Sequence, residues 1–328
     1  MSAACAGSNS APEPASSSTC WSTAPSTLAA ASWRAGWHSG VGFGGPWYGE
    51  YDSLGWLRNW GGGFVTTCGL DHALFGATDT ARQYHYPAKP TETHGLHGRV
   101  SNRPAKLRAY GERWEGDECI LYAEGEVVQA GTFSEHLVLR RRIEAKVGEN
   151  RFTIHDEVEN IGWDPTTHIM LYHVNVGFPV VDVGSELLVP TKSVKPRGEG
   201  NHETYRTLDA PEPDHFERAY EHDLIPESDG SVPCGIVNRR REFGAYEVFR
   251  IDQLPHQFVW RMLGEGSYVV GLEPCTNRPE GRLEMRENGR LTILQPGDTR
   301  GYDLEFGALC GADELDAFEN RVKSLGGI

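Results

Sequence analysis

Three short stretches of this chain gather ionisable side chains in apolar or glycine-rich surroundings. The first is Thr93-His94-Gly95-Leu96-His97-Gly98-Arg99-Val100-Ser101-Asn102-Arg103-Pro104, which sets two histidines and two arginines beside two glycines. Glycine lets a backbone approach a ligand closely or take positive φ. Imidazole and guanidinium donate hydrogen bonds in fixed directions, which suits gripping a polyhydroxylated molecule. The other two are Leu171-Tyr172-His173-Val174-Asn175-Val176-Gly177-Phe178-Pro179 and Val270-Gly271-Leu272-Glu273-Pro274-Cys275-Thr276-Asn277-Arg278-Pro279. Each places an ionisable residue inside a run that otherwise reads as a buried strand.

On a strand, Tyr172 and Val174 point to one face while Leu171, His173 and Asn175 point to the other. An imidazole beside a carboxamide is poor core packing unless both find partners. A satisfied buried histidine is the plainer account of His173 taken alone; Asn175, Gly177 and Pro179 turn the reading towards a ligand-facing wall. Glu273 ends an apolar strand directly before Pro274, and proline holds the preceding residue extended. A carboxyl in that position is pushed up by desolvation, as a general base working near neutrality requires. The structural alternative is a strand-end glutamate paired with Arg278 or Arg282. The His94/His97 pair has metal-ligand spacing but no third ligand nearby; a metal would have to recruit His173 or Glu273. Sugar-hydroxyl contacts, a metal set of His94, His97, His173 and Glu273, and plain turn residues all stay open.

The elements that position these residues read as β. Gly 39 and Pro 19 signal many turns, and 328 residues can bury a sizeable core. Strand patterns recur at 119–123 and 126–130, with a turn expected at Glu124-Gly125 between them. Others follow at 137–145, 151–160 and 168–178, then from 235 to 308. Residues 190–233 are polar and proline-rich and read as long connections. Only 313–325 has helical spacing, through Leu315, Phe318 and Val322. Many short strands without interleaved helices predict an all-β sandwich with a short C-terminal helix.

Residues 1–35 are rich in Ala, Ser, Thr and Pro and read as an irregular extension, with 36–328 forming one domain. Residues 33–69 are dense in Gly and Trp. Trp faces can stack on sugars, although core packing is the plainer role of any single one. Arg58, between Trp56 and Trp60, is the polar residue of this stretch that stands out as a candidate contact.

The balance of 46 acidic against 31 basic residues, −15 overall, disfavours nucleic acid and anionic membrane as partners. The runs Arg140-Arg141-Arg142 and Arg239-Arg240-Arg241 border strand patterns and read as solvated faces. Seven scattered cysteines without a CxxC pair predict buried free thiols in a reducing compartment. No apolar run has transmembrane length, no basic n-region precedes an apolar core, and no phosphate loop, dinucleotide fingerprint, HExxH or GxSxG occurs. The expectation is a cytoplasmic protein without cofactor.

With these segments together, the sequence resembles the galactose mutarotase-like superfamily of aldose 1-epimerases, and within it a bacterial branch known as a domain of unknown function. The resemblance rests on Cys68-Gly69-Leu70, His94-Gly95-Leu96-His97-Gly98-Arg99, the 171–179 stretch and Leu272-Glu273-Pro274, and spans roughly 41–306. It implies a β-supersandwich with an open sugar cleft and a monosaccharide or sugar derivative as ligand. It also implies that His173 protonates the ring oxygen while Glu273 takes the proton of the anomeric hydroxyl. His97 and Arg99 would hold hydroxyls, with His94, Asn175 and Arg58 as further contacts; either histidine of the HGLHGR motif can be the matching one.

Two other classes stay in play. A lyase or hydratase on a keto-sugar would use Glu273 to abstract a carbon-bound proton, with the histidines free to hold a divalent metal. A non-catalytic sugar-binding protein would keep the fold without turnover.

Overall fold

The computed structural model describes residues 53–60, 62–197, 204–278 and 281–326, together with the backbone of the strand Thr27–Leu28. Two large antiparallel sheets face each other. The first runs, in spatial order, Thr27–Leu28, Val65–Cys68, Leu171–Val176, Ser267–Cys275, His256–Gly264, Arg218–Leu224 and Thr191–Arg197. The second runs Glu186–Leu188, Ser231–Asn238, Phe243–Arg250, Thr299–Cys310, Arg151–Asn160, His136–Lys146, Glu118–Ala130 and Lys106–Glu115. Small two-stranded pieces, Ala77–Thr80 with Thr91–His94 and Thr166–His168 with Thr292–Leu294, flank them.

Strand alternation decides which side chains reach the interior. From the first sheet Val65, Tyr172, Val174, Val176, Val259, Val270 and Leu272 enter the main core, where they meet Val127, Leu139, Ile154, Val158, Ile236 and Phe306 of the second. The partition expected for the 171–176 strand holds, with Leu171 in a separate apolar cluster on the opposite face beside Trp56, Cys68, Phe258 and Cys275. The C-terminal helix Ala312–Ser324 packs Leu315, Phe318 and Val322 on Leu188, Val237 and Leu309. Asp313 and Glu314 in its first turn and Arg321 and Lys323 in its last suit the helix dipole.

Several local expectations give way to the tertiary structure. Glu124-Gly125 does not turn: Glu118–Ala130 is one continuous strand, and the reversal lies at Gly116, with φ 61°. Glu124 and Glu126 lie opposite Arg142 and Arg140, and Gly125 lies opposite Arg141. The arginine run is therefore only partly a solvated face. Arg140 and Arg142 pair with surface glutamates, whereas Arg141 is buried. Residues 190–233 are not all connection: they supply Thr191–Arg197 and Arg218–Leu224, polar because one is a sheet edge and the other its neighbour. Pro196 is tolerated on that edge, where its missing N–H faces no partner strand. Short helices at Trp56–Asn59 and Gly281–Glu287 escape a periodicity reading because each is two turns or less.

Within the extension expected at 1–35, the backbone of Thr27–Leu28 pairs with Val65 and Thr66; the remainder lies outside the described residues. Cys68, Cys119, Cys234 and Cys275 carry free thiols, and Cys119 is only half-buried. Cys310 departs from the free-thiol expectation, being disulfide-bonded. No helix among the described residues is long and apolar enough to cross a membrane.

A buried charge cluster ties the sheets together. Arg141 Nε and Nη2 donate to the two carboxylate oxygens of Asp156 at 2.7 and 2.5 Å, Tyr172 Oη donates to Asp156 at 2.6 Å, and Arg141 Nη2 also donates to Thr67 Oγ1 at 2.7 Å. Removing one partner of such a pair strands the other charge away from water. Asp156→Ala is expected to lower stability by about 3–5 kcal/mol in urea unfolding; a loss under about 1 kcal/mol would show that the sheets do not depend on this cluster.

Candidate active site

The site lies on the face of the first sheet that points away from the main core. The register sets Val174 opposite Leu272 and Leu171 opposite Cys275, so His173 and Glu273 come face to face on neighbouring strands. Their side chains meet at 3.2 Å between His173 Nε2 and Glu273 Oε1, and the residues are 4% and 6% exposed. Burial pulls His173 down to about 4, with the neighbouring Asn175 opposing that shift. Burial, aided by the charge of Glu217, pushes Glu273 up to about 8. Between those limits the pair holds one proton and no net charge, because a low-dielectric site disfavours separated charges.

Aromatic rings wall this pair. The His173 ring centroid lies 5.2 Å from that of Trp60, 5.5 Å from Trp260, 6.1 Å from Trp56 and 5.5 Å from His97. Each indole N–H is engaged: Trp56 Nε1 donates to Ser101 Oγ at 2.7 Å, Trp60 Nε1 to Thr66 Oγ1 at 3.2 Å and Trp260 Nε1 to Glu217 Oε2 at 2.8 Å. Gly271, opposite Asn175 on one side and Trp260 on the other, forms the floor. A Cβ there would lie 2.8 Å from Glu273 Oε1 and 3.1 Å from His173 Cε1.

His97 reaches the pair from the HGLHGR loop. Gly69 N donates to the His97 carbonyl at 3.2 Å, and Arg99 N and Val100 N donate to the Gly69 carbonyl at 2.9 and 3.1 Å, so the CGL and HGLHGR motifs are bound to each other. The approach is possible because Gly98 has φ 73° and no side chain; a Cβ would meet the His72 and Gly69 carbonyl oxygens at 2.1 and 2.4 Å. His97 itself has φ 56°, and burial together with the nearby His173 holds its imidazole neutral. The Nδ1 atoms of His97 and His173 and the Oδ1 of Asn175 are buried without a protein partner.

The structure thus brings together His173, Glu273, His97 and Asn175. Asn175 Nδ2 donates to the Gly63 and His173 carbonyls, both at 2.9 Å, which fixes the carboxamide below His173. His94 and Arg99 are placed differently from the direct contacts expected of them. His94 Nδ1 lies 3.0 Å from Asp71, and Arg99 is held by Glu92 at 2.8 Å, Asp71 at 3.3 Å and Glu135 at 3.4 Å. Those carboxylates oblige both side chains to brace the loop that presents His97. Arg58 is exposed on the short helix between Trp56 and Trp60. With His94 tied to Asp71, the four residues considered as a metal set do not converge, and no group of three or more His, Cys, Asp or Glu with metal-holding geometry occurs among the described residues.

Trp260, Glu217 and Asp71 escaped the sequence reading. The alternation of Phe258, Trp260 and Met262 along one strand face was the available signal for Trp260. Glu217 and Asp71 have no local pattern, since their partners lie 43 residues away for Glu217 and, for Asp71, in the HGLHGR loop.

The sequence matches the family described as Domain of unknown function (DUF4432) over residues 26–308. The chain belongs to that family. Its fold is that of the galactose mutarotase-like superfamily. A proposed aldose 1-epimerase from Klebsiella pneumoniae subsp. pneumoniae MGH 78578 superposes with a TM-score of 0.74 at 23% identity, covering 85% of this chain and 71% of that one. The Slr1438 protein from Synechocystis sp. PCC 6803 gives 0.55 at 14% identity, covering 76% and 79%. A galactose mutarotase related enzyme from Lactobacillus acidophilus gives 0.51 at 14% identity, covering 76% and 84%. No curated protein matches the sequence. At these identities the likeness is one of fold.

Gly271→Ala is expected to drive His173 Nε2 and Glu273 Oε1 beyond hydrogen-bonding distance while leaving the sheet paired. A crystal structure of the variant that kept the 3.2 Å contact would refute the part assigned to this glycine.

Proposed function

We propose that this protein is an aldose 1-epimerase, interconverting the anomers of a monosaccharide by acid–base catalysis at His173 and Glu273. The observation that carries the reading is the buried His173–Glu273 pair in contact at 3.2 Å, walled by tryptophans. Anomer exchange needs one proton removed from the anomeric hydroxyl and one delivered to the ring oxygen. As the C1–O5 bond breaks and C1=O forms, the open chain rotates about C1–C2 and recloses with the protons returned. A pair that holds one proton between two groups supplies both services without net change in charge.

Burial favours that proton on Glu273 with neutral His173. Transfer across the contact yields the ionised form, in which His173 is the donor and Glu273 the acceptor, the assignment implied by the family resemblance. The half-buried rings of Trp60 and Trp260 suit the C–H face of a pyranose, with the buried Trp56 stacked behind Trp60, and His97 Nδ1 offers a hydrogen-bonding atom beside His173. Asn175 steadies His173, Arg58 is a rim contact, and His94 and Arg99 act by holding the His97 loop.

The test is proton NMR of freshly dissolved α-anomers of glucose, galactose, xylose and fucose, with and without protein. Faster α/β equilibration on at least one sugar, cut by about 100-fold or more in Glu273→Gln and in His173→Ala, is the expected result. Unaltered equilibration across the panel, or full activity in Glu273→Gln, would sink the proposal. The pH profile should be a bell. Below about 4 His173 takes a second proton and no base remains; above about 8 Glu273 loses its proton and no acid remains. A rate that stayed flat through pH 8–9 would exclude Glu273 as the group whose proton is needed.

A further inference from the structure

We propose that Glu217 is a positioning residue of this site: its carboxylate holds the Trp260 indole against His173 and sets a fixed negative charge beside Glu273. The inference rests on the acid–base reading of the pair and adds a residue that touches neither member of it.

Glu217 immediately precedes the strand Arg218–Leu224, whose neighbour His256–Gly264 carries Trp260. Glu217 Oε2 accepts from Trp260 Nε1 at 2.8 Å, and Trp260 lies opposite Gly271 with its ring centroid 5.5 Å from that of His173. A Cβ on Gly271 would lie 3.3 Å from Trp260 Cε3, so the indole covers the floor glycine. An indole anchored only by its apolar face could slide along that floor; the charge-assisted hydrogen bond at its N–H edge sets its position.

Most groups around Glu273 are held uncharged by burial. His173 on one neighbouring strand and His97 above it are held neutral by burial. Cys68 and Cys275 are thiols pushed up by burial, and Glu247 of the second sheet is pushed up in the same way. The other adjacent strand presents Phe258 and Trp260, with His256 farther along, opposite Cys275. Glu221 is drawn towards Arg278 at 3.8 Å. Arg58 stands exposed on the short helix that carries Trp56, and Glu217, exposed at the rim, is the neighbouring charge that raises Glu273 after burial.

Two variants separate the two parts of the role. Glu217→Gln removes the charge and keeps an oxygen acceptor; Glu217→Ala removes both. In both, the alkaline limb of the anomer-exchange profile is expected to move to lower pH by about half to one unit. In Glu217→Ala alone, the Trp260 indole N–H resonance, assigned with Trp260→Phe, should leave its hydrogen-bonded position and KM should rise several-fold. A limb unmoved in both variants, or an N–H resonance unmoved in Glu217→Ala, overturns the proposal. The Glu273 carboxyl titration, followed by carbon-13 NMR and assigned with Glu273→Gln, needs no turnover. A wild-type protein without anomer exchange would count against the function proposed above, while the carboxyl titration would still decide whether Glu217 sets the charge beside Glu273.

Discussion

The Asp156 carboxylate between the two sheets is the contact on which the site's orientation depends. It accepts from Arg141 and Tyr172, and Arg141 reaches on to Thr67, so one second-sheet carboxylate is linked to two neighbouring strands of the first. Tyr172 is the residue before His173. Because successive side chains on a strand alternate, pinning Tyr172 inward sends His173 outward. A one-residue slip of that strand would bury the imidazole in the main core and leave Tyr172 Oη without its acceptor. The buried charges cost desolvation, and their return is a fixed register more than stability.

A second constraint acts from the other side. The HGLHGR loop must come within backbone contact of the CGL turn for His97 to lie beside His173, and Gly98 is what permits that approach. The loop's charges are neutralised locally: Asp71, Glu92 and Glu135 surround Arg99, and His94 leans on Asp71. Asp71 is held well below the usual carboxylate range, the pull of His94, Arg99 and Arg282 overcoming the opposite effect of its burial. A scaffold of this kind keeps the His97 ring beside His173.

Burial has opposite consequences for the two members of the pair. The same desolvation that lowers His173 raises Glu273, so one environment favours the uncharged form of both near neutrality. The tryptophans contribute to that environment by excluding water, and they are themselves fixed through their N–H groups.

The sequence by itself determined the all-β class, the C-terminal helix, the alternating faces of the 171–176 strand and the three motifs that supply His97, His173 and Glu273. These rest on local periodicity and on residues whose chemistry is conspicuous in an apolar run. Only the tertiary structure decided that Arg99 and His94 face carboxylates, that Arg141 is buried between two arginines that pair with surface glutamates, that Gly125 continues a strand and does not turn, and that the polar 190–233 stretch contributes two strands. It also decided that Glu217 meets Trp260. Each of these depends on what a distant segment places opposite, and a side chain's charge partner or steric clearance has no period along the chain.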